Sequence, residues 1–322
     1  MKKKGIVQLA AVFLLLILFL LVPVFVKQTY LIILFDNTFI NIIILVGLNF
    51  ITGLMGETNL GTAGIMALGA YTFSLFCTRL SFSPWIGLLC AVVMGILIGF
   101  GLGWPSLRMK GIYLSLTTLG FGEIVRLVLN NLANVTGGST GVTNIPSLNI
   151  FGHVLTSAMD FYYFILVCVI IILAVTYKII HSKWGRAIKA IKDNDVAVEA
   201  CGIEISKIKI LAFTLCSVYG CIGGALYAQL MGYISPSDFT LNSSVTYLMM
   251  LMIGGIGSVP GNIIGAFIVT MLPELLRFLK DYYWITFSVI ILIFSVLLPN
   301  GLVSIFKKFA GRIGSVLTRK EE

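Results

Sequence analysis

Charge is scarce in this chain. Asp, Glu, Lys and Arg make up 11% of its 322 residues, against about 25% in soluble domains, too few to clothe a globule of this size in solvated groups. That shortage excludes a soluble enzyme. Histidine occurs twice, at His153 and His181, too rarely for a metal centre built on imidazole ligands, which argues against a metal-dependent membrane protease. The six cysteines, Cys77, Cys90, Cys168, Cys201, Cys216 and Cys221, form no Cys-x-x-Cys pair, and those in apolar stretches read as small hydrophobes. A GxxxxGK[ST] phosphate loop is absent, so the chain cannot bind ATP in that way by itself. Carboxylates deep in apolar stretches reduce on this reading to Glu123 and Glu57, too few for a proton relay. No cofactor or metal site is expected.

What fills the chain instead is apolar surface, 58% of all residues. Lipid is the medium such a surface fits, at roughly 20 apolar residues per spanning helix. The runs are too long and continuous for alternating barrel strands. The reading is therefore all-α: a polytopic transmembrane helical bundle of about ten spans, with eight to ten as the range. Residues 5–22, 39–55, 60–78, 85–104, 112–129, 161–180, 210–231, 245–256, 262–278 and 283–298 are the candidates. The glycine-rich stretches at 53–64 and 254–261 read either as tight turns or as unwound points inside the membrane.

Lys and Arg gather on the cytoplasmic side of membrane proteins. With the N-terminus inside and ten crossings, 17 of the 22 basic residues fall there: Lys2, Lys3 and Lys4, Arg108 and Lys110, seven within 178–209, and five within 307–320. The net charge of +9 is thus a topology signal that also suits anionic lipid headgroups. It carries no stacking aromatics of the kind nucleic-acid sites use, and no nucleic-acid partner is expected. Both termini are expected in the cytoplasm, with the protein multi-pass in the cell membrane.

One connection, 178–209, is long and rich in both charge signs. Asp193 or Asn194 can cap a helix that contains Asp195, and Gly202 supplies the left-handed position that ends it, so a two-turn helix is expected over 195–201. Upstream, Lys183, Arg186, Lys189 and Lys192 recur every third residue, with Trp184, Ile188 and Ile191 placed for an apolar face. This reads either as a basic interfacial helix or as a docking lever for a cytoplasmic partner.

Within the fifth candidate span, Glu123, Arg126 and Asn130 share one helical face at spacings of three and four. An unpaired charge at mid-membrane costs about 2.5–3.5 kcal/mol on insertion scales. The two charges therefore pair, either to lock packing or to line a polar route, with Asn130 extending the stripe. Glycine spacing of four at Gly95, Gly99 and Gly103, at Gly220 and Gly224, and at Gly261 and Gly265 predicts closely packed helices. Gly137-Gly138-Ser139-Thr140-Gly141 matches GxSxG formally, but without a preceding strand or a nearby base it reads as a loop.

Specific strings go further. Gly53-Leu54-Met55-Gly56-Glu57-Thr58-Asn59-Leu60-Gly61 with Leu68-Gly69-Ala70-Tyr71 resembles the early signature of LivM-type permeases, the membrane subunits of branched-chain amino-acid ABC transporters. Leu107 through Tyr113, the Thr118-Leu119-Gly120-Phe121-Gly122-Glu123 block, Gly185-Arg186-Ala187-Ile188-Lys189, Glu199-Ala200-Cys201-Gly202-Ile203 and Gly254-Gly255-Ile256-Gly257-Ser258 are similar to later blocks of that family, in order.

The resemblance implies a permease subunit of an ATP-driven importer for leucine, isoleucine and valine. Its implied partners are a second permease of the LivH type, two ATP-binding subunits and an extracytoplasmic solute-binding protein. ATP would be bound by those partners, and the chain itself would not be an enzyme. The segment 193–203 would be the coupling helix, with Arg186, Lys189, Asp193, Asp195, Glu199 and Gly202 at the ATPase contact. Glu57, Asn59, Thr118, Glu123, Arg126 and Asn130 would be the intramembrane polar set of the translocation pathway. One departure is that Gly202 follows Glu199 by three residues, where the general ABC-importer loop has six. Alternatives at this point are a permease for urea or short amides of the same group, and a self-sufficient channel or secondary transporter. A single transmembrane permease domain is expected over 1–306, with its coupling loop at 181–209, followed by a basic cytoplasmic tail at 307–322.

Overall fold

The computed structural model describes residues 28–150, 153–155 and 157–276, together with Phe19, Pro23, residues 301–303 and a few isolated positions between 282 and 292. The expected spans at 5–22 and 283–298 and the tail at 307–322 lie outside the described stretches. Helices dominate, and the only paired strands among the described residues are the two-residue β1 (Asn149–Ile150) and β2 (His153–Val154).

Long helices form where apolar runs are uninterrupted. α1 (Thr29–Leu48) runs straight into a π-helical segment, Asn49–Met55, that ends at Gly56. A linker, residues 56–61, leads to α2 (Thr62–Thr78), followed by α3 (Pro84–Ser106) and α4 (Ile112–Asn131). A single-turn α5 (Ala133–Thr136) opens the outer connection, and α6 (Ala158–His181) starts on the Ser157 cap. Two short helices follow, α7 (Lys183–Asp193) and α8 (Asp195–Ala200), and then the longest, α9 (Ile205–Met231). α10 (Leu241–Gly254) and α11 (Val259–Leu275) flank the second glycine break. Among the described residues, five stretches are long and apolar enough to cross a membrane: Thr29–Met55, α3, α4, α6 and α9. α2 and α11 are apolar but shorter.

α9 is the hub, packed on α3, α2 and α1. Small residues make this possible, because without side chains between them two backbones can meet. A Cβ on Gly95, Gly99 or Gly103 of α3 would lie within 3.1 Å of Val218, Thr214 or Ile210 backbone carbons on α9. Gly224 meets the Met66 carbonyl of α2, and Gly265 of α11 meets the Met250 carbonyl of α10. The expected glycine stripes are therefore the helix contacts. α4 is the peripheral span: it buries only Leu114, Thr118, Val125 and Leu129 and leaves Ile112, Tyr113, Leu116 and Ile124 exposed.

The boundaries differ from the hydropathy reading at two informative places. α1 begins at Thr29, ten residues before the expected Phe39. Asp36, Thr38 and Asn41 lower the local hydropathy but face protein, with Thr38 bonded to the Leu34 carbonyl and Asn41 to Thr270. α9 begins at Ile205 rather than Ile210, which draws Lys209 from the expected loop into a buried helix face. The ambiguous 53–64 stretch resolves into the π end and the linker. The 254–261 stretch becomes the turn between α10 and α11.

Outside the bundle, the connection after α4 is pinned down. Val142 and Ile234 exchange backbone hydrogen bonds of 2.9 and 3.1 Å, and the Trp85 indole donates to the Asn149 carbonyl. Ser139 stands exposed in a 3₁₀ turn preceded by α5, with no strand before it.

Candidate coupling and translocation site

α7 and α8 form a capped double helix on one end of the bundle. Ser182 accepts from Gly185 N–H and Asn194 from Ala197 N–H, each satisfying a free helix-start donor. α7 buries Ala187, Ile188 and Ile191, while Lys183, Arg186 and Lys189 face outward and Lys192 reaches toward the bundle. Trp184, expected on the apolar face, is instead exposed beneath the Lys183 ammonium, 5.5 Å from its ring. An amphipathic indole favours such an interfacial setting. α8 spans Asp195–Ala200, within one residue of the expected helix, and the left-handed φ of +76° at Gly202 follows it. Val198 is its one buried side chain, and Val196 is 77% exposed.

Of the residues expected at an ATPase contact, Arg186, Lys189, Asp193, Glu199 and Gly202 are all exposed on this element. Arg186 donates to the His181 carbonyl at 2.9 Å. Asp195 turns toward Lys110 and forms an ion pair with it. The Lys110 hydrogen bond holds the Asp195 carboxyl below its ordinary range, and Asp195 in turn raises the Lys110 ammonium.

Directly beneath lies the π segment. π turns insert a residue into a helix and recur at functional sites; this one closes on Gly56, whose φ of +82° few side chains tolerate. Lys192 donates to the Gly53 carbonyl at 3.3 Å, and its stem covers Gly56. Glu57 pairs with Lys209 at 2.5 Å, with the two side chains only 13% and 3% exposed. Asn49 Oδ1 accepts from Gly257 N–H at 2.9 Å, so the two glycine breaks meet.

Past Glu57 the linker is held by side chains. Asn59 accepts from Gly61 N–H at 2.8 Å, Thr118 of α4 from Leu60 N–H at 3.0 Å, and Ser244 of α10 from Ala63 N–H at 2.9 Å. Beside them opens a small cavity, with about 10 Å³ of water-sized space, between Gly64, Leu119, Glu123, Phe239 and Ser244. Glu123 and Arg126 pair at its rim, with Arg126 Nε 3.0 Å from the carboxylate. Their side chains are 39% and 31% exposed on the outer face of α4. Asn130 is exposed and makes no hydrogen bond to the pair, because one further turn carries it past the linker that the rest of the face lies against. The structure thus brings Glu57, Asn59, Thr118 and Glu123–Arg126 onto one line and leaves Asn130 off it. Among the described residues no three His, Cys, Asp or Glu side chains gather as a metal site.

The profile of the family described as "Branched-chain amino acid transport system / permease component" matches residues 29–296. The chain belongs to this permease family. The LivM protein of the high-affinity branched-chain amino acid transport system of Escherichia coli K12 is 32% identical over 289 residues, 83% of this permease and 68% of that relative. LivH of the same kind of system in Salmonella typhimurium is 24% identical over 284 residues, 81% of this permease and 90% of the relative. The fructose import permease FrcC of Rhizobium meliloti is 28% identical over 236 residues, 70% and 65% of the respective chains. No solved structure matches.

Two buried charges in this permease escaped the sequence reading. Lys209, placed by the hydropathy reading in the loop 178–209, is a buried cation of α9, and Asp36, fully buried in α1, adds a carboxylate to the expected pair Glu57 and Glu123. Both signals were periodic. Ile205, Ile208, Lys209, Ala212, Phe213 and Cys216 repeat at helical spacing, as do Ile32, Asp36, Phe39, Ile40 and Ile43, and each series puts the charge on the buried stripe.

Proposed function

We propose that this permease is the membrane-spanning subunit of an ATP-driven importer that carries leucine, isoleucine and valine. It would work with a second, LivH-type permease, two ATP-binding subunits and an extracytoplasmic solute-binding protein. The observation that carries this reading is the likeness to LivM across 83% of the chain, which includes both the capped α7–α8 element and the polar line beneath it. α8 would seat in a groove of an ATP-binding subunit on the cytoplasmic side, offering Val196 and Glu199, with Arg186, Lys189 and Asp193 around it. A short helix capped at both ends suits a rigid lever.

The pathway would run along α4, past Thr118 and the Glu123–Arg126 pair, where the second permease covers the face that α4 leaves exposed. A charged pair facing hydrocarbon is unfavourable by several kcal/mol, and the covering chain with a wet route removes that penalty. The space there that a water molecule can occupy is about 10 Å³, room for about one water and far too little for an amino acid, so passage requires the linker and α4 to part. Selection among solutes would rest mainly with the binding protein, since no dedicated carboxylate clamp lines the cavity.

Reconstitution tests this. Proteoliposomes containing both permeases and the ATP-binding subunits, supplied with the binding protein, take up labelled leucine only with ATP, and fructose and urea serve as competing solutes. Uptake by this chain alone without ATP would sink the proposal and favour a self-sufficient channel or secondary transporter.

A further inference from the structure

We infer that the buried Glu57–Lys209 ion pair is a latch through which the α7–α8 element controls the linker at residues 56–61, and that Glu57 and Lys209 are positioning residues for transport. The inference rests on the reading of α8 as the ATPase seat.

One contact, one electrostatic neighbourhood and one short connection link the cytoplasmic element to this bend. Lys192 of α7 bonds the Gly53 carbonyl and lies over Gly56. Asp195 of α8 and Lys110 both lie close enough to act electrostatically on Glu57. Lys209 sits one turn into α9, joined to the end of α8 by a few residues, so a shift of α8 is passed to the Lys209 ammonium with little slack.

On its other side the linker reaches the cavity through side-chain hydrogen bonds at Asn59, Thr118 and Ser244. Side-chain bonds of that kind can be exchanged without unwinding a helix, whereas a backbone ladder cannot.

Glu57 itself carries the mark of a second arrangement. One oxygen, Oε1, holds Lys209, while the other, Oε2, is buried with no hydrogen-bond partner. Oε2 shares this lack of a protein donor with other buried oxygens, such as those of Asp36 and Ser217, and it can take up a donor without first giving up Lys209. A carboxylate with one open oxygen, beside a Lys110 that already serves Asp195, is poised to exchange partners when α8 moves.

The test uses the complete transporter in proteoliposomes, with assembly, ATP hydrolysis and leucine uptake measured on the same preparation. Glu57→Gln or Lys209→Met alone leaves a buried charge without its partner, which disturbs folding whatever the role of the pair. The double variant E57Q/K209M removes both charges. A pair that serves packing alone predicts that the double variant regains assembly and uptake together. The latch predicts that it assembles and hydrolyses ATP while uptake per ATP falls about 5–150-fold, the usual span of site-to-site coupling. A wild-type ratio of uptake to hydrolysis in the double variant overturns the latch. Should the double variant fail to assemble, Lys192→Met decides: its side chain is exposed, so the fold survives, and the latch requires the ratio to fall there too, whereas a wild-type ratio refutes it. Failure of the wild-type complex to couple uptake to ATP would instead strike the function on which the inference stands.

Discussion

Replacing Gly99 by Ala and replacing Gly101 by Ala are the same chemical change two residues apart on α3, and the structure gives them opposite signs. A Cβ on Gly99 would lie 2.3 Å from Thr214 Cα and 2.9 Å from Thr214 N on α9. Restoring an ordinary carbon–carbon separation of 3.5–4.0 Å drives the two helices apart by about 1.2 Å or more. The atoms in the way are backbone, so no rotamer change relieves them. Overpacking of this kind costs about 1–3 kcal/mol, and the separation also loosens Gly95 against Val218 and Gly103 against Ile210. Gly101 faces away from the bundle with no atom within 4 Å of its would-be Cβ. Alanine there only removes backbone freedom from the unfolded chain, a gain of about 0.5–1 kcal/mol. Much helix persists in detergent-unfolded membrane proteins, which pushes that gain toward its lower end. The gap between the two variants is thus about 1.5–4 kcal/mol, or about ten- to nearly a thousandfold in the unfolding equilibrium. Titration of the purified permease in micelles with a denaturing detergent, followed by tryptophan fluorescence, measures it. Equal midpoints for the two variants would refute the close-packed α3–α9 contact.

Two further outcomes follow from the charged pairs. At Glu123–Arg126, either neutral substitution alone, Glu123→Gln or Arg126→Gln, lowers assembly or uptake more than the double replacement does, because each single change strands a charge in the span; additive losses in a double-mutant cycle would count against pairing. For Lys110–Asp195, the lowered Asp195 value makes its contribution present above its ordinary 3.8 and lost as pH falls through the lowered value. The raised Lys110 value makes its contribution present below 10.5 and lost only as pH rises beyond. The contact is therefore flat across the physiological pH range and sensitive to ionic strength instead: Lys110→Gln should speed hydrogen exchange in α8 at low salt, with the difference from wild type vanishing near 1 M, where screening acts over about 3 Å. A difference that survives high salt would show that Lys110 braces α8 by some other means.

Local chemistry was legible in the sequence where a residue and its partner are neighbours. Asn194 and Gly202 delimit α8 within a residue of the expected helix because capping acts over three or four positions, and glycine repeats marked the helix contacts because backbone approach needs no particular partner. What escaped was non-local. Glu57 and Lys209 stand 152 positions apart, and a hydropathy window averages over all faces of a helix, so it pushes charged residues such as Lys209 and Asp36 out of spans that in fact bury them. The π segment likewise has no composition of its own, and the partner of its first residue, Asn49, is Gly257 in the far glycine break.

The shortness of α2 bears on how the protein is made. Its 17 residues span about 26 Å at 1.5 Å per residue, less than the roughly 30 Å of bilayer hydrocarbon. It packs on α3 and α4 as well as on α9, and at α9 Gly69 meets the Cys221 backbone and Gly224 the Met66 carbonyl. At about 5–20 residues per second of synthesis, the start of α9 emerges roughly 6–25 s after α2 is complete. For that interval α2 has α3 and α4 to pack on but lacks the partner its glycines meet most closely, and its packing is completed only when α9 arrives beside it. The α2–α9 contact therefore closes the bundle between helices that are far apart in the order of synthesis.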